Sequence, residues 1–106
     1  MGLDNSYEVF IPQELEGVIQ KNLPQQLRKV LERKIQYLAN NPHYPSLNTK
    51  KYHVSEKKLR NFGVDEVWEF YINRHEYRCI FYVIHSEKKI IIAYVGNHKD
   101  IVRRYT

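Results

Sequence analysis

Four residues in the second half of the chain have side chains that can bind phosphate or transfer protons. The guanidinium of Arg78 stays charged and presents a fork of donors that suits phosphate oxygens. The carboxylate of Glu69 can accept a proton and the imidazole of His98 can accept or donate one, so either group can act as a general acid or base. The ring of Tyr71 can stack on a nucleobase. Together these side chains could bind and cleave a phosphodiester.

Basic residues are concentrated in two stretches. The chain carries a formal charge of +5 and has an isoelectric point near 9.3. Residues 50–60 contain five cations and one carboxylate, and further cations stand near the C-terminus. Such clustering is typical of proteins that bind a polyanion, although basic loops also keep small proteins soluble. The cations in question are Lys50, Lys51, Lys57, Lys58, Arg60, Lys99, Arg103 and Arg104.

The sequence lacks the patterns of several other kinds of site. The single cysteine, Cys79, excludes an intramolecular disulfide and a zinc site built on paired cysteines. The histidines have no metal-ligand spacing and no glycine-rich phosphate loop occurs, so we expect no metal and no cofactor. No apolar run approaches the length of about 20 residues needed to cross a bilayer. Residues 1–5 show no secretory signal, so we expect a cytoplasmic protein without a membrane partner.

The length and composition predict one globular domain over residues 1–106. A chain of 106 residues with 42% hydrophobic and 27% charged residues suits a single domain. A short alternating strand is predicted over Tyr7–Ile11. Apolar residues at helical spacing then predict a helix over Gln13–Lys21 and a stronger one from Pro24 to Asn40, which together form an antiparallel hairpin. No period persists from Pro42 to Gly63, so this stretch is predicted to be a loop.

The remaining sequence has the alternation of a sheet. Strands are predicted over residues 67–72, 77–85 and 89–95, and a polar turn over residues 73–76 joins the first two. The third strand is almost continuously apolar, which indicates a strand covered on both faces. Gly96 is expected to end that strand, and the tail from His98 onward is expected to form a last helical turn.

Alternation also predicts which side chains share a face. Trp68 and Phe70 point to one side of their strand, while Glu69 and Tyr71 point to the other. If Trp68 and Phe70 face the helices, Arg78 projects outward together with Glu69 and Tyr71. We therefore expect a guanidinium, a carboxylate and a phenol on the outward side of the sheet.

The predicted element order is β-α-α-β-β-β, an α+β fold with an antiparallel sheet and a helical hairpin on one face. This order and four local motifs resemble the RelE/ParE superfamily of bacterial toxins over nearly the whole chain. The motifs are Leu38–Pro42, Val67–Phe70, Tyr77–Arg78 and Val95–His98.

The resemblance implies a function and a partner. It implies the toxin of a type II toxin–antitoxin module, neutralised by a cognate antitoxin protein. RelE-like members are metal-independent endoribonucleases, and many of them cut messenger RNA in the ribosomal A site. ParE-like members share the fold but inhibit DNA gyrase, so the fold alone does not decide between the two activities.

The resemblance also implies roles for individual residues. Arg78 matches the arginine that is assigned to the scissile phosphate, and His98 falls where relatives carry a catalytic Arg, Lys or His. With Glu69, these two form the candidate catalytic set. The candidate RNA contacts are Lys50, Lys51, Tyr71, Lys99, Arg104 and Tyr105.

Glu69 departs from the family pattern, because RelE has a lysine at this position and a carboxylate cannot bind phosphate as a lysine does. Glu69 is either a base that works with His98, an ordinary solvent-facing strand residue, or a salt-bridge partner of Arg78, a role that Glu76 could also fill. His98 has its own alternative, an exposed residue that caps the last helical turn. Two rival functions therefore stand beside the ribonuclease: a gyrase-binding toxin, and an RNA-binding module that has lost activity.

Overall fold

A five-stranded sheet lies at the centre of the structure, a computed structural model that describes residues 2–74 and 76–106. The strands are β1 (Glu8–Phe10), β2 (Lys50–Lys51), β3 (Glu66–Tyr71), β4 (Tyr77–Ile84) and β5 (Lys89–Asn97). The α-helices are α1 (Leu15–Asn22), α2 (Arg28–Asn40), α3 (Glu56–Phe62) and α4 (His98–Tyr105). The strand order across the sheet is β1-β5-β4-β3-β2.

The predicted meander is confirmed, and the sheet also includes one parallel pair. Strands β3, β4 and β5 pair antiparallel, and β2 adds to the edge of β3 with Lys50 opposite Glu69. Strand β1 runs parallel to β5, with Glu8 opposite Lys89. The meander is antiparallel, as predicted; strand β1 lies outside it and is not joined to β5 by a hairpin. Its direction is therefore set by packing rather than by a turn.

One face of the sheet packs against α1 and α2, as the alternation predicts. Phe70, Cys79 and Phe81 are fully buried in this first core. The side chains that meet them from the helices include Leu15, Leu31 and Leu38. The first core therefore joins the helical hairpin to the inner face of the meander through apolar contact.

The opposite face was predicted to be outward-facing, yet α3 and α4 cover much of it. A second core on this face contains Val67 and Ile80 from the sheet, and Ile101 and Tyr105 from α4. Leu59 of α3 packs against the same group. The prediction missed this layer because α3 falls in a stretch that was assigned to a loop, and α4 was expected to be only a single turn.

The helix and strand boundaries differ from the predicted ones by a few residues. Helix α1 begins two residues later than expected, and a 3₁₀ turn over Gln25–Leu27 precedes α2. Helix α2 ends at Asn40, as Pro42 predicts. The predicted turn over residues 73–76 includes His75, which lies outside the described residues. Within residues 2–74 and 76–106, no helix combines the length and apolar character needed to span a bilayer.

Helix α4 follows β5 without a linker. Strand β5 was expected to end at Gly96 but continues to Asn97, whose side chain caps α4. Asn97 Oδ1 accepts the N–H of Asp100 at 2.9 Å, and the carboxylate of Asp100 accepts the N–H of Asn97 at 3.3 Å. A Cβ on Gly96 would lie 2.9 Å from Cβ of Asp100, so glycine permits this close turn. His98 is consequently held at a fixed position where the strand meets the helix.

Replacing Asn97 with Ala is expected to lower the free energy of unfolding by about 1 kcal/mol, because the first turn of α4 loses its cap. Asn97→Asp keeps an acceptor at the same place and is expected to stay within about 0.5 kcal/mol of the parent. Urea denaturation followed by circular dichroism measures both values. Equal stability of the alanine variant and the parent would show that this cap is dispensable.

Candidate functional site

Arg78 and Glu69 form an ion pair on the face of the sheet that lies away from α1 and α2. Arg78 Nη1 donates to Glu69 Oε1 at 3.0 Å, and the two side chains are 14% and 5% exposed. The register of β3 and β4 creates this contact, since it places Arg78 opposite Tyr71, two residues beyond Glu69. Arg78 Nε is also buried and has no hydrogen-bond partner within the described residues. The pair therefore orients the guanidinium without using all of its donors.

Tyr71 and Lys50 complete this cluster. Lys50 Nζ donates to the hydroxyl of Tyr71 at 3.0 Å, and this hydrogen bond raises the pKa of Lys50. The guanidinium carbon of Arg78 lies 4.9 Å from the centre of the Tyr71 ring, and Lys50 Nζ lies 5.2 Å from it. Both contacts have the geometry of cation–π interactions. Two cations and one buried carboxylate leave the cluster with an excess positive charge, which suits a phosphate.

Lys51 lies on the other face of the sheet, so the predicted basic pair is divided. Lys51 Nζ is 3.1 Å from a carboxylate oxygen of Glu66 and 5.9 Å from the centre of the Trp68 ring. The reason is that Lys50 and Lys51 form strand β2, in which successive side chains alternate. The structure therefore places Lys50, and not Lys51, beside Arg78.

His98 and Lys99 lie at the same end of the sheet as Arg78. Gly96, two residues before His98, is the register partner of Arg78. Both His98 and Lys99 are exposed in the first turn of α4 and line a surface recess of about 460 Å³. Within the described residues, no hydrogen bond or ion pair connects His98 to the Arg78–Glu69 pair. The imidazole is therefore near this cluster but is not held by it.

Arg104 and Tyr105 lie elsewhere. The ring of Tyr105 is 3% exposed, and its hydroxyl is 3.0 Å from that of Tyr82. Burial raises the pKa of Tyr105, so the phenol stays neutral. This burial contradicts the predicted RNA contact at Tyr105, which is a core residue of the second face. Arg104 lies over the ring of Tyr94 at 4.7 Å and lines a separate recess beside α1.

Two cations that sequence reasoning missed adjoin the cluster. Lys34 extends from α2 to the end of β3, where its Nζ donates to the carbonyl oxygen of Tyr71 at 2.8 Å. Arg74 lines both the recess at His98 and a larger cleft beside Tyr71. Lys34 has no sequence signal, because a polar position on an amphipathic helix predicts exposure and not a contact with a distant strand. Arg74 stands three residues after Tyr71, the last residue of β3, and could have been proposed from its charge.

Two of the histidines, His43 and His85, make structural contacts. His43 Nε2 is 3.0 Å from the carbonyl oxygen of Leu3, and His85 contacts the hydroxyl of Tyr7 and the carboxylate of Glu66. In the described part of the chain, no three His, Cys, Asp or Glu side chains are grouped so that they could hold a metal ion. The thiol of Cys79 is buried, and burial raises its pKa.

Comparisons with known proteins identify the fold. No family model matches the chain, and no curated protein matches it. Solved structures do match. A chain of the archaeal RelE–RelB complex from Pyrococcus horikoshii OT3 has 18% identity and a TM-score of 0.62, covering 86% of this chain and 93% of that one. A metal-bound toxin from Helicobacter pylori has 12% identity and a TM-score of 0.61, covering 90% and 98%.

A third match is the toxin–antitoxin complex RelBE2 from Mycobacterium tuberculosis, with 16% identity, a TM-score of 0.55, and coverage of 92% of this chain and 95% of that one. This chain has a RelE-like fold. The predicted fold class is therefore confirmed. In the RelE-like framework of this chain, Arg78, Glu69, Tyr71 and Lys50 share one end of the meander.

The Arg78–Glu69 pair is expected to stabilise the fold only when both partners are present. Glu69→Leu and Arg78→Met are each expected to lower the free energy of unfolding by about 3 kcal/mol, because each leaves a charge with little solvent and no partner. The double variant is expected to lie within about 1 kcal/mol of the parent. Chemical denaturation of the four proteins measures this cycle.

Lys51→Met is the matched control, since it breaks an ion pair whose lysine is 63% exposed. Its effect is expected to stay below about 1 kcal/mol. Additive losses in the Glu69→Leu/Arg78→Met double variant would show that the two side chains do not interact energetically.

Proposed function

We propose that this protein is the toxin of a toxin–antitoxin module and that it cleaves RNA without a metal. The observation that carries the proposal is the guanidinium of Arg78, oriented by Glu69 and accompanied by Lys50 and Tyr71. The RelE-like fold supports it, because the matched structures include complexes named as RelE with RelB and as RelBE2. We expect the substrate to be messenger RNA, bound on the ribosome in the cytoplasm.

The chemistry requires three operations at one linkage. A base removes the proton of the 2′-hydroxyl, the resulting oxygen attacks the phosphorus, and an acid protonates the departing 5′ oxygen. Arg78 stabilises the added negative charge on the phosphoryl oxygens, with Lys50 as a second cation. His98 supplies the acid or the base, because an imidazole ring can both accept and donate a proton. Substrate binding would have to bring the linkage to both Arg78 and His98.

In this proposal Glu69 is not the general base. Glu69 is 4% exposed, and its carboxylate accepts a hydrogen bond from Arg78. A carboxylate in this position orients the guanidinium and limits its rotamers, which favours the salt-bridge interpretation. We therefore propose Glu69 as a positioning residue for Arg78 rather than as the group that takes the 2′-hydroxyl proton.

An antitoxin protein is the proposed partner, and edge strand β1 offers it a surface. Phe10 and Ile11 are 41% and 57% exposed at this edge of the sheet. Exposed apolar side chains on an unpaired edge favour association with another chain. An antitoxin segment that covered this edge would bury both residues.

A second candidate function has a specific observation in its favour. The Arg78 guanidinium is already paired with a buried carboxylate, and His98 has no hydrogen bond to the pair within the described residues. These features favour an RNA-binding module of the same fold that does not cleave. The experiment below separates this candidate, and the gyrase-binding toxin, from the ribonuclease.

Expression from a tightly repressed promoter is expected to arrest growth and to create new 5′ ends in cellular transcripts, mapped by sequencing. Arg78→Lys keeps a positive charge beside Glu69 but loses the fork, so cleavage is expected to fall by about 100-fold or more. His98→Ala is expected to have a loss of similar size. Arg33→Ala is the matched control, because Arg33 is exposed on α2 and should leave cleavage unchanged.

Two outcomes would contradict the ribonuclease, and a third would contradict the role of Arg78. Growth arrest with intact transcripts and an induced DNA-damage response would indicate a gyrase-binding toxin. RNA binding by the purified protein without cleavage or arrest would indicate the inactive module. Full cleavage by folded Arg78→Lys would show that the guanidinium is not part of the reaction.

A further inference from the structure

A cationic cleft lies where β2 begins and β3 ends. It has a volume of about 730 Å³ and lies between the sheet and α2. Its lining residues are Lys34, Asn48, Thr49, Lys50, Tyr71, Asn73 and Arg74. Three of them are cations and none is a carboxylate. A cleft of this composition has a positive potential that favours an anionic ligand.

Lys34 is the least exposed of the cations and faces neutral acceptors. Its Nζ donates to the carbonyl oxygens of Tyr71 at 2.8 Å and Ser46 at 3.4 Å. Burial lowers the pKa of Lys34, which indicates that its charge has lost solvent without gaining a carboxylate. An ammonium has three donors, so these two contacts leave a third for a ligand.

The cleft is continuous with the Arg78 cluster through Tyr71. The ring of Tyr71 contacts Arg78 and Lys50, while its carbonyl oxygen accepts from Lys34. A ligand that reaches Arg78 on one side of Tyr71 can therefore continue past Lys50 into the cleft. Arg78, Lys50 and Lys34 follow one another along this path. A single-stranded nucleic acid, which carries one phosphate per nucleotide, could contact them in turn.

An aromatic pair lies outside the lining of the cleft but is linked to Lys34 through the chain around Ser46. Tyr37 stands one turn beyond Lys34 on α2, and its ring stacks on that of Tyr44 with centroids 4.5 Å apart and an interplanar angle of 14°. Tyr44 is 39% exposed. It directly precedes the 3₁₀ turn Pro45–Leu47, in which the carbonyl oxygen of Ser46 contacts Lys34. Exposed aromatic faces next to cations are typical of surfaces that bind single-stranded nucleic acid.

We propose that this cleft binds the backbone of single-stranded RNA on one side of the linkage held at Arg78, with a nucleobase on the Tyr37–Tyr44 pair. The inference rests on the proposed function and extends it, since it assigns a second phosphate site to residues outside the cleavage cluster. Lys34 and Arg74 contact phosphate, and Tyr44 supplies the exposed ring face. RNA that extends into the cleft would bind more tightly than RNA that ends at Arg78.

Binding of fluorescently labelled 2′-O-methyl RNA to the full chain tests this site, because such RNA cannot be cleaved through its 2′ oxygen. A nine-nucleotide strand and a dinucleotide are compared at several salt concentrations. Lys34→Met and Arg74→Met are each expected to weaken binding of the long strand by about tenfold, the value of one charge-assisted contact. Each should also lower the salt slope by about one, and Lys34→Met should leave dinucleotide binding unchanged.

Arg74→Met keeps the test valid if Lys34→Met does not fold, because Arg74 is exposed whereas Lys34 contacts the main chain. Tyr44→Ala is expected to weaken binding of the long strand without changing the salt slope, and Arg33→Met is the exposed-cation control. If Lys34→Met and Arg74→Met both bind the long strand as tightly as the parent, and the parent still cleaves RNA, the inference about the cleft is overturned but the proposed function is not. A parent protein that neither binds nor cleaves RNA would overturn the proposed function as well. Preferential binding of polyglutamate over RNA at Lys34 and Arg74 would indicate an acidic protein segment as the ligand and would overturn the inference.

Discussion

The ion pair between Arg78 and Glu69 is the interaction on which the candidate site depends. A guanidinium on a flexible stem binds phosphate well only if its orientation is fixed before the ligand arrives. Glu69 fixes it from within the sheet, and the low exposure of both side chains strengthens their attraction. The ring of Tyr71 contacts this guanidinium, and its hydroxyl accepts a hydrogen bond from the ammonium of Lys50. The β3–β4 register makes this arrangement possible, because it places Tyr71 directly opposite Arg78.

Most of the fold could be predicted because its central elements have a strong local pattern. The alternation placed Trp68 and Phe70 on one face of their strand, and in the structure this face packs against the helical hairpin. The second layer was harder to predict, because α3 and α4 are short and their apolar residues pack against a sheet face that only the folded chain creates. Local signs of α3 were nevertheless present. Ser55 caps α3, and Gly63 ends it with a φ of 71°.

The candidate site was predictable to the extent that it follows from strand periodicity. Residues of alternating strands that share a face can be assigned from sequence, which is why Arg78, Glu69 and Tyr71 were expected together. The same rule would have separated Lys50 from Lys51 if strand β2 had been predicted, but a strand of two residues has no readable period. Tyr105 stands one turn beyond Ile101 on α4, a spacing typical of a buried helix face. Lys34 could not have been found, since its contact with Tyr71 joins positions 37 residues apart.

The direct passage from β5 into α4 makes the position of His98 a property of the sheet. A loop at this point would let the first turn of the helix drift, but Gly96 is still paired with Arg78 and Asn97 already caps the helix. Because each residue of an α-helix turns the chain by about 100°, one inserted residue would rotate every side chain of α4 away from its present direction. The imidazole of His98 would change direction, and Ile101 and Tyr105 would leave the second core. The junction thus couples the position of His98 to the stability of the second core, and a change in the length of this segment would disturb both.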